Sequence, residues 1–113
     1  MRVVITESKA NDIILKYLDK YIEPDYSWGP ELHEFYRDEV KRHGYYDFVV
    51  NDNLAYSYWN RDNDGNLLEV MPWVYEQLDG LFGDLWEPIF IEWFEKNSGL
   101  PIGVFERYKG DDV

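Results

Sequence analysis

The sequence predicts an α+β fold: a small antiparallel sheet covered by helices on one face. Apolar residues recur at helical spacing towards both ends of the chain, whereas residues 45–70 change to a period of two and are rich in Tyr, Val, Phe and Trp. Gly, Pro, Asn and Asp punctuate these runs at short intervals. The expected order is β-α-α-β-β-β-α-α-β. The 113 residues suit one domain, read as residues 1–109 followed by a polar tail at 110–113.

Arg2-Val3-Val4-Ile5 reads as a short strand, and Thr6 or Ser8 can cap the helix that follows. In that helix Ala10, Ile13, Ile14, Tyr17, Leu18 and Tyr21 form an apolar stripe, with Asp12, Lys16, Asp19 and Lys20 on the other side. Pro24 ends it near Glu23, because the residue before a proline is driven out of the α region. Residues 23–29 form a loop carrying Tyr26 and Trp28. Pro30 suits the first turn of a second helix, striped by Leu32, Phe35, Tyr36, Val40 and His43 and stopped by Gly44.

Tyr45–Val50 and Leu54–Asn60 flank Asn51-Asp52-Asn53 and read as a hairpin. Tyr46, Phe48 and Val50 share one face of the first strand; Tyr45, Asp47 and Val49 share the other. On the second strand Tyr56 and Tyr58 point one way and Trp59 the opposite way. A second turn at Arg61–Asn66, signalled by Asp64-Gly65, returns the chain through Leu67–Val70 to complete a meander. Pro72 then opens a short helix with Trp73, Val74, Gln77, Leu78, Leu81 and Phe82, limited by Gly80 and Gly83. Ile89, Phe90, Trp93 and Phe94 give a further helix a broad apolar face until Ser98-Gly99, and Pro101 forbids continuation. Ile102–Tyr108 is the last strand. Ile14, Leu18, Leu78, Phe90 and Phe94 sit at the centres of the stripes and are the expected core.

Charge is the strongest compositional signal. The net charge is −12, and there is no Cys, which excludes disulfides, thiolate metal sites and a Cys nucleophile. Residues 1–44 hold nine acids and seven bases, while residues 45–113 hold fourteen acids and four bases. Between Tyr45 and Glu95 Arg61 is the single base against eleven acids. Such a field repels nucleic-acid phosphate and anionic lipid and attracts a basic protein surface; it also keeps a very aromatic chain soluble. Five Trp, ten Tyr and six Phe supply large core area, and those left outside suit a protein interface.

Motifs for chemistry are incomplete. His33-Glu34 begins a zinc-helix pattern, but position 37 is Arg where the second His belongs. Asn60, Asp62, Asp64, Gly65 and Leu67 follow the first half of a calcium loop, yet the position of the bidentate Glu is Met71. There is no Gly-rich phosphate loop and no nucleophile elbow. Carboxylate pairs and the two His leave a small hydrolase as the alternative from the enzyme class.

The opening Arg2-Val-Val-Ile-Thr-Glu-Ser8 running into an Ile/Leu/Tyr helix, with the segment Phe90–Ile102, resembles small uncharacterised proteins of tailed bacteriophages. That resemblance implies a phage accessory protein acting in the host cytoplasm and supplies no site residues.

The expectation is therefore a non-catalytic acidic interaction protein, without cofactor, whose partner is a protein with a basic surface. Direct nucleic-acid or membrane binding is not expected, no targeting segment is read, and a homo-oligomer is compatible with the composition. Two forms compete: a nucleic-acid-mimicking inhibitor of a host defence or transcription protein, and a virion or assembly component. The expected partner-binding residues are Asp52, Trp59, Asp62, Asp64 and Glu69.

Overall fold

The first helix, α1, spans Glu7–Tyr17 and widens into a π-helical turn over Leu18–Ile22. Ile14, Leu18 and Ile22 follow one another at intervals of four and are fully buried. Glu23 is extended at ψ 132°, as its place before Pro24 requires. These coordinates come from a computed structural model that describes residues 7–25, 28, 30–61 and 65–110. The expected strand Arg2–Ile5, its cap Thr6, Tyr26, Asp62, Asp64 and the last three residues of the tail lie outside the described residues.

Helix α2 is Pro30–His43, and Gly44, at φ 83°, ends it by donating its N–H to the Val40 carbonyl at 2.7 Å. The strands are β1 (Tyr45–Val50), β2 (Asn53–Trp59), β3 (Leu67–Val70) and β4 (Val104–Arg107). Between β3 and β4 lie α3 (Pro72–Phe82), a 3₁₀ turn (Gly83–Leu85) and α4 (Trp86–Ser98). Among the described residues the order is thus α-α-β-β-β-α-α-β.

The hairpin turn has two central residues, not three. Asn51 and Asp52 have φ of 51° and 65°, the left-handed pair that a type I′ turn needs, and Asn53 already pairs with Val50. A bulge places Ala55 as the extra residue on β2 between the Phe48–Tyr56 and Val49–Leu54 pairs. The expected meander holds: β1, β2 and β3 are antiparallel neighbours. The wholly antiparallel sheet does not. The order is β1-β2-β3-β4, and β4 runs parallel to β3. The 33 residues between them, carrying two helices, form a crossover long enough to return the chain to the starting end of β3, which a hairpin cannot do.

The helices bury one face of this sheet. Phe48 and Tyr56 stack at 5.0 Å, Tyr58 and Phe94 at 5.8 Å, and Phe94 meets Phe48 edge-on at 5.2 Å. Burying tyrosines demands partners for their hydroxyls: Tyr56 donates to the Ile22 carbonyl at 3.2 Å and Tyr58 to the Pro101 carbonyl at 2.5 Å. Burial pushes the Tyr56 hydroxyl well above its ordinary range. All five expected core residues, Ile14, Leu18, Leu78, Phe90 and Phe94, are buried.

Several residues of the expected stripes are not. Ile13, Tyr21, Phe35, Trp73 and Leu81 are exposed, because each helix touches the core through an arc narrower than its apolar stripe. Trp73 is held at the surface, its indole N–H donating to the Leu54 carbonyl at 2.7 Å. Gly80 does not shorten α3, which runs on to Phe82; Gly83, at φ 62°, ends it.

Two polar clasps fix the helices to each other and to β4. His33 bonds through Nε2 to the Asn97 carbonyl, and Arg37 donates to the Gly99 carbonyl at 3.2 Å, so α2 caps the C-terminus of α4. Gly99 is left-handed at φ 74°, and a Cβ there would lie 3.1 Å from the His33 ring, so bulk and backbone both favour glycine. Arg107 donates to both Asp79 oxygens at 2.6 and 2.8 Å and to Glu87 at 2.6 and 2.9 Å. Its guanidinium also lies 5.2 Å from the Tyr75 ring and 5.3 Å from the Trp86 ring.

Leu18→Ala and Phe94→Ala should each lose about 2–5 kcal/mol of stability, read from urea midpoints, because each opens a cavity in a closed core. The Arg107 bonds, then that of the Trp86 indole, hold the Asp79 carboxyl below its ordinary range. A depressed carboxylate contributes stability that is present above its unfolded value and lost as pH falls through its folded value. Arg107→Met should therefore cost about 1–2 kcal/mol near neutrality, and the difference from the parent chain should shrink as pH falls below the ordinary carboxylate range.

Candidate functional site

The face of the sheet opposite the helices is ordered by strand register. Tyr45, Trp59, Leu67 and Val104 lie opposite one another across the four strands and form one row. Asp47, Ser57, Glu69 and Glu106 form the next row. Strands about 4.8 Å apart set the spacing within each row, and two residues of strand separate one row from the other.

In the first row the rings of Tyr45 and Trp59 stack at 4.8 Å with 28° between their planes, and both are exposed. Leu67 is buried beside them. In the second row Asp47 and Glu106 are exposed, Glu69 is half-buried and Ser57 is buried. Ser57 donates its hydroxyl to Asp47 at 2.6 Å. Burial, and then the negative charge of Glu106 alongside, raise the Glu69 carboxyl above its ordinary value. Asn66 anchors the end of β4 to this face: its carbonyl accepts from Gly103 and Val104, both at 2.9 Å, and its side chain accepts from the Arg61 N–H at 3.3 Å.

The two histidines are elsewhere. His33 is engaged with α4, and His43 is exposed on α2, 3.4 Å from Glu39. The Ser57–Asp47 pair has neither of them as a base. Among the described residues no three His, Asp or Glu are grouped to hold a metal ion, and no helix is long and apolar enough to cross a membrane.

Of the expected partner-binding residues, Trp59 and Glu69 come together on this face. Asp52 does not join them. It is exposed at the hairpin tip, and the seven residues of β2 put it about 20 Å from Trp59. Asp62 and Asp64 lie outside the described residues. Tyr45, Asp47, Ser57 and Glu106 complete the face and were not among the expected residues. The alternation of β1 already placed Tyr45 and Asp47 together. Nothing in the pattern of β4 indicates that Glu106 lies beside Glu69, since that follows from parallel pairing.

No family model matches the chain, and no significant match is found among curated proteins or solved structures.

A carboxylate raised on folding opposes the fold as pH rises through its folded value, and the cost vanishes below its unfolded value. Glu69→Gln should therefore raise the urea midpoint at neutral pH, with the gain disappearing in acid. Glu106→Gln should move the Glu69 titration back towards its ordinary value, followed by the side-chain carboxyl carbon shift.

Proposed function

We propose that the protein is a non-catalytic interaction protein that binds a basic protein surface on the outer face of its sheet. The observation carrying this reading is the register-aligned row of Asp47, Glu69 and Glu106 beside the stacked Tyr45–Trp59 pair. Three carboxylates in a line attract Lys and Arg and repel phosphate. The stacked rings offer apolar area and a cation–π surface to the same side chains. The charge of the whole chain, −12, reinforces the local field.

A phage accessory protein is the setting we favour, on the likeness of its opening residues and of Phe90–Ile102 to small phage proteins. The partner is then a host protein, and occupancy of a basic nucleic-acid site is the form of action that the acidity suits best.

A Lys-rich peptide serves as the probe of the face. Its affinity should fall at least about tenfold between about 50 and about 500 mM salt, since exposed charges at this range are screened. Trp59→Ala and the double change Asp47→Asn with Glu106→Gln should each weaken binding at least about fivefold, the latter mainly through slower association. Asp52→Asn, at the far end of the hairpin, should change it less than about twofold. Equal affinity at both salt concentrations would defeat the reading.

A further inference from the structure

The sheet has two outer strands, and they differ. On β1 the loop after α1 has taken part of the edge: the Asp25 N–H donates to the Val49 carbonyl at 2.9 Å, and the Asp25 carboxylate accepts from the Asn51 N–H at 2.8 Å. On β4 the inward side is set by two bonds to the neighbouring chain, from the Val104 N–H to Asn66 and from the Tyr108 N–H to Val70, both at 2.9 Å. Alternation along a parallel strand then turns the backbone groups of Phe105 and Arg107 outward, away from β3.

Beside that edge is an open cavity of about 700 Å³ lined by Glu69, Glu87, Glu106, Arg107, Tyr108 and Lys109. Arg107 is already neutralised by Asp79 and Glu87. Lys109 stands beyond the end of the strand. Among the described residues Glu69 and Glu106 have no ion-pair partner, and they adjoin each other in the acidic row.

We propose that the partner supplies an extended segment that adds to β4 as a fifth strand, with Lys or Arg at alternate positions beside Glu106. This rests on the basic-partner reading and specifies how that partner is held. A strand laid against β4 satisfies the outward N–H and C=O groups of Phe105 and Arg107. It also extends the Asp47–Ser57–Glu69–Glu106 row by one position, about 4.8 Å beyond Glu106, where a cation completes an opposite-charge cross-strand pair. Two residues along, the same face of the new strand meets half-buried Val104, which the aliphatic stem of a second Lys or Arg covers. The backbone supplies affinity and the alternating charge supplies selectivity.

Two end-blocked peptides of about eight residues, one alternating Lys with Thr and one alternating Lys with Pro, have equal charge but differ in their ability to pair with an edge. The Lys–Thr peptide should bind the full chain at least about tenfold more tightly. Its binding should slow hydrogen exchange at the Phe105 and Arg107 amides at least about tenfold while leaving that of Glu106, already turned towards β3, nearly unchanged. Glu106→Lys should weaken it by at least about tenfold. Equal affinities for the two peptides, or binding of Lys–Thr without protection of Phe105 and Arg107, would overturn strand addition. If in that case Trp59→Ala still weakens both peptides, the basic-partner reading survives on its own. Failure of both peptides to bind would overturn the two proposals together.

Discussion

The guanidinium of Arg107 lies among Tyr75, Trp86, Asp79 and Glu87, so one side chain of β4 is tied to α3 and to the first turn of α4. β4 is only four residues long and has a neighbour on one side. Its ladder alone is a weak hold. Phe105 adds apolar packing, with its ring 5.8 Å from that of Trp86 and 6.2 Å from that of Phe90. The clasp adds direction, because a bidentate bond fixes the plane of the guanidinium. Asp79 lies in the first helix of the crossover and Glu87 at the start of the second, so together they place the end of β4 against the segment that carried the chain back. Glu106, whose side chain leaves on the opposite face, is positioned as a consequence.

That consequence is costly in its own terms. Like charges on adjacent strands are destabilising, and the charge of Glu106 adds to burial, the larger cause, in raising the Glu69 carboxyl. The helical side compensates through dense aromatic packing in which Phe48, Tyr56, Tyr58, Phe90 and Phe94 are each essentially closed to solvent. The sheet is therefore divided by task. One face holds the fold together through apolar area and through the bonded hydroxyls of Tyr56 and Tyr58. The other keeps Glu69 and Glu106 side by side in a row with Asp47 and Ser57.

The aromatic residues follow the same division. Trp86 and Trp93 are buried, yet each indole N–H has a carboxylate partner, Asp79 and Asp19, both at 2.8 Å. Some of the chain's many acids thus also serve as hydrogen-bond partners for tryptophan and arginine at the margin of the core. Tyr45 and Trp59 have no such anchor and stack on each other at the surface. Acidity and aromaticity, read as two bulk properties of the composition, are in the structure divided between residues that bond or pack within the fold and residues such as Tyr45, Trp59 and Glu106 that stand on its outer face.

The sequence alone determined the local elements. Helix ends at Glu23, Gly44 and Gly99, the meander of three strands, and the inward set of Ile14, Leu18, Leu78, Phe90 and Phe94 all follow from proline and glycine geometry and from apolar period. It also placed Trp59 opposite in direction to Tyr56 and Tyr58, since alternation is a property of one strand. What it did not contain was the relation between distant strands. The direction of β4, its place beside β3 and the resulting line of Asp47, Ser57, Glu69 and Glu106 depend on how two helices pack across the sheet, and no short stretch of residues encodes that. Exposure of Ile13, Trp73 and Leu81 was hidden for the same reason, because a helical stripe states which residues are apolar and only the docked neighbours decide how wide an arc is covered.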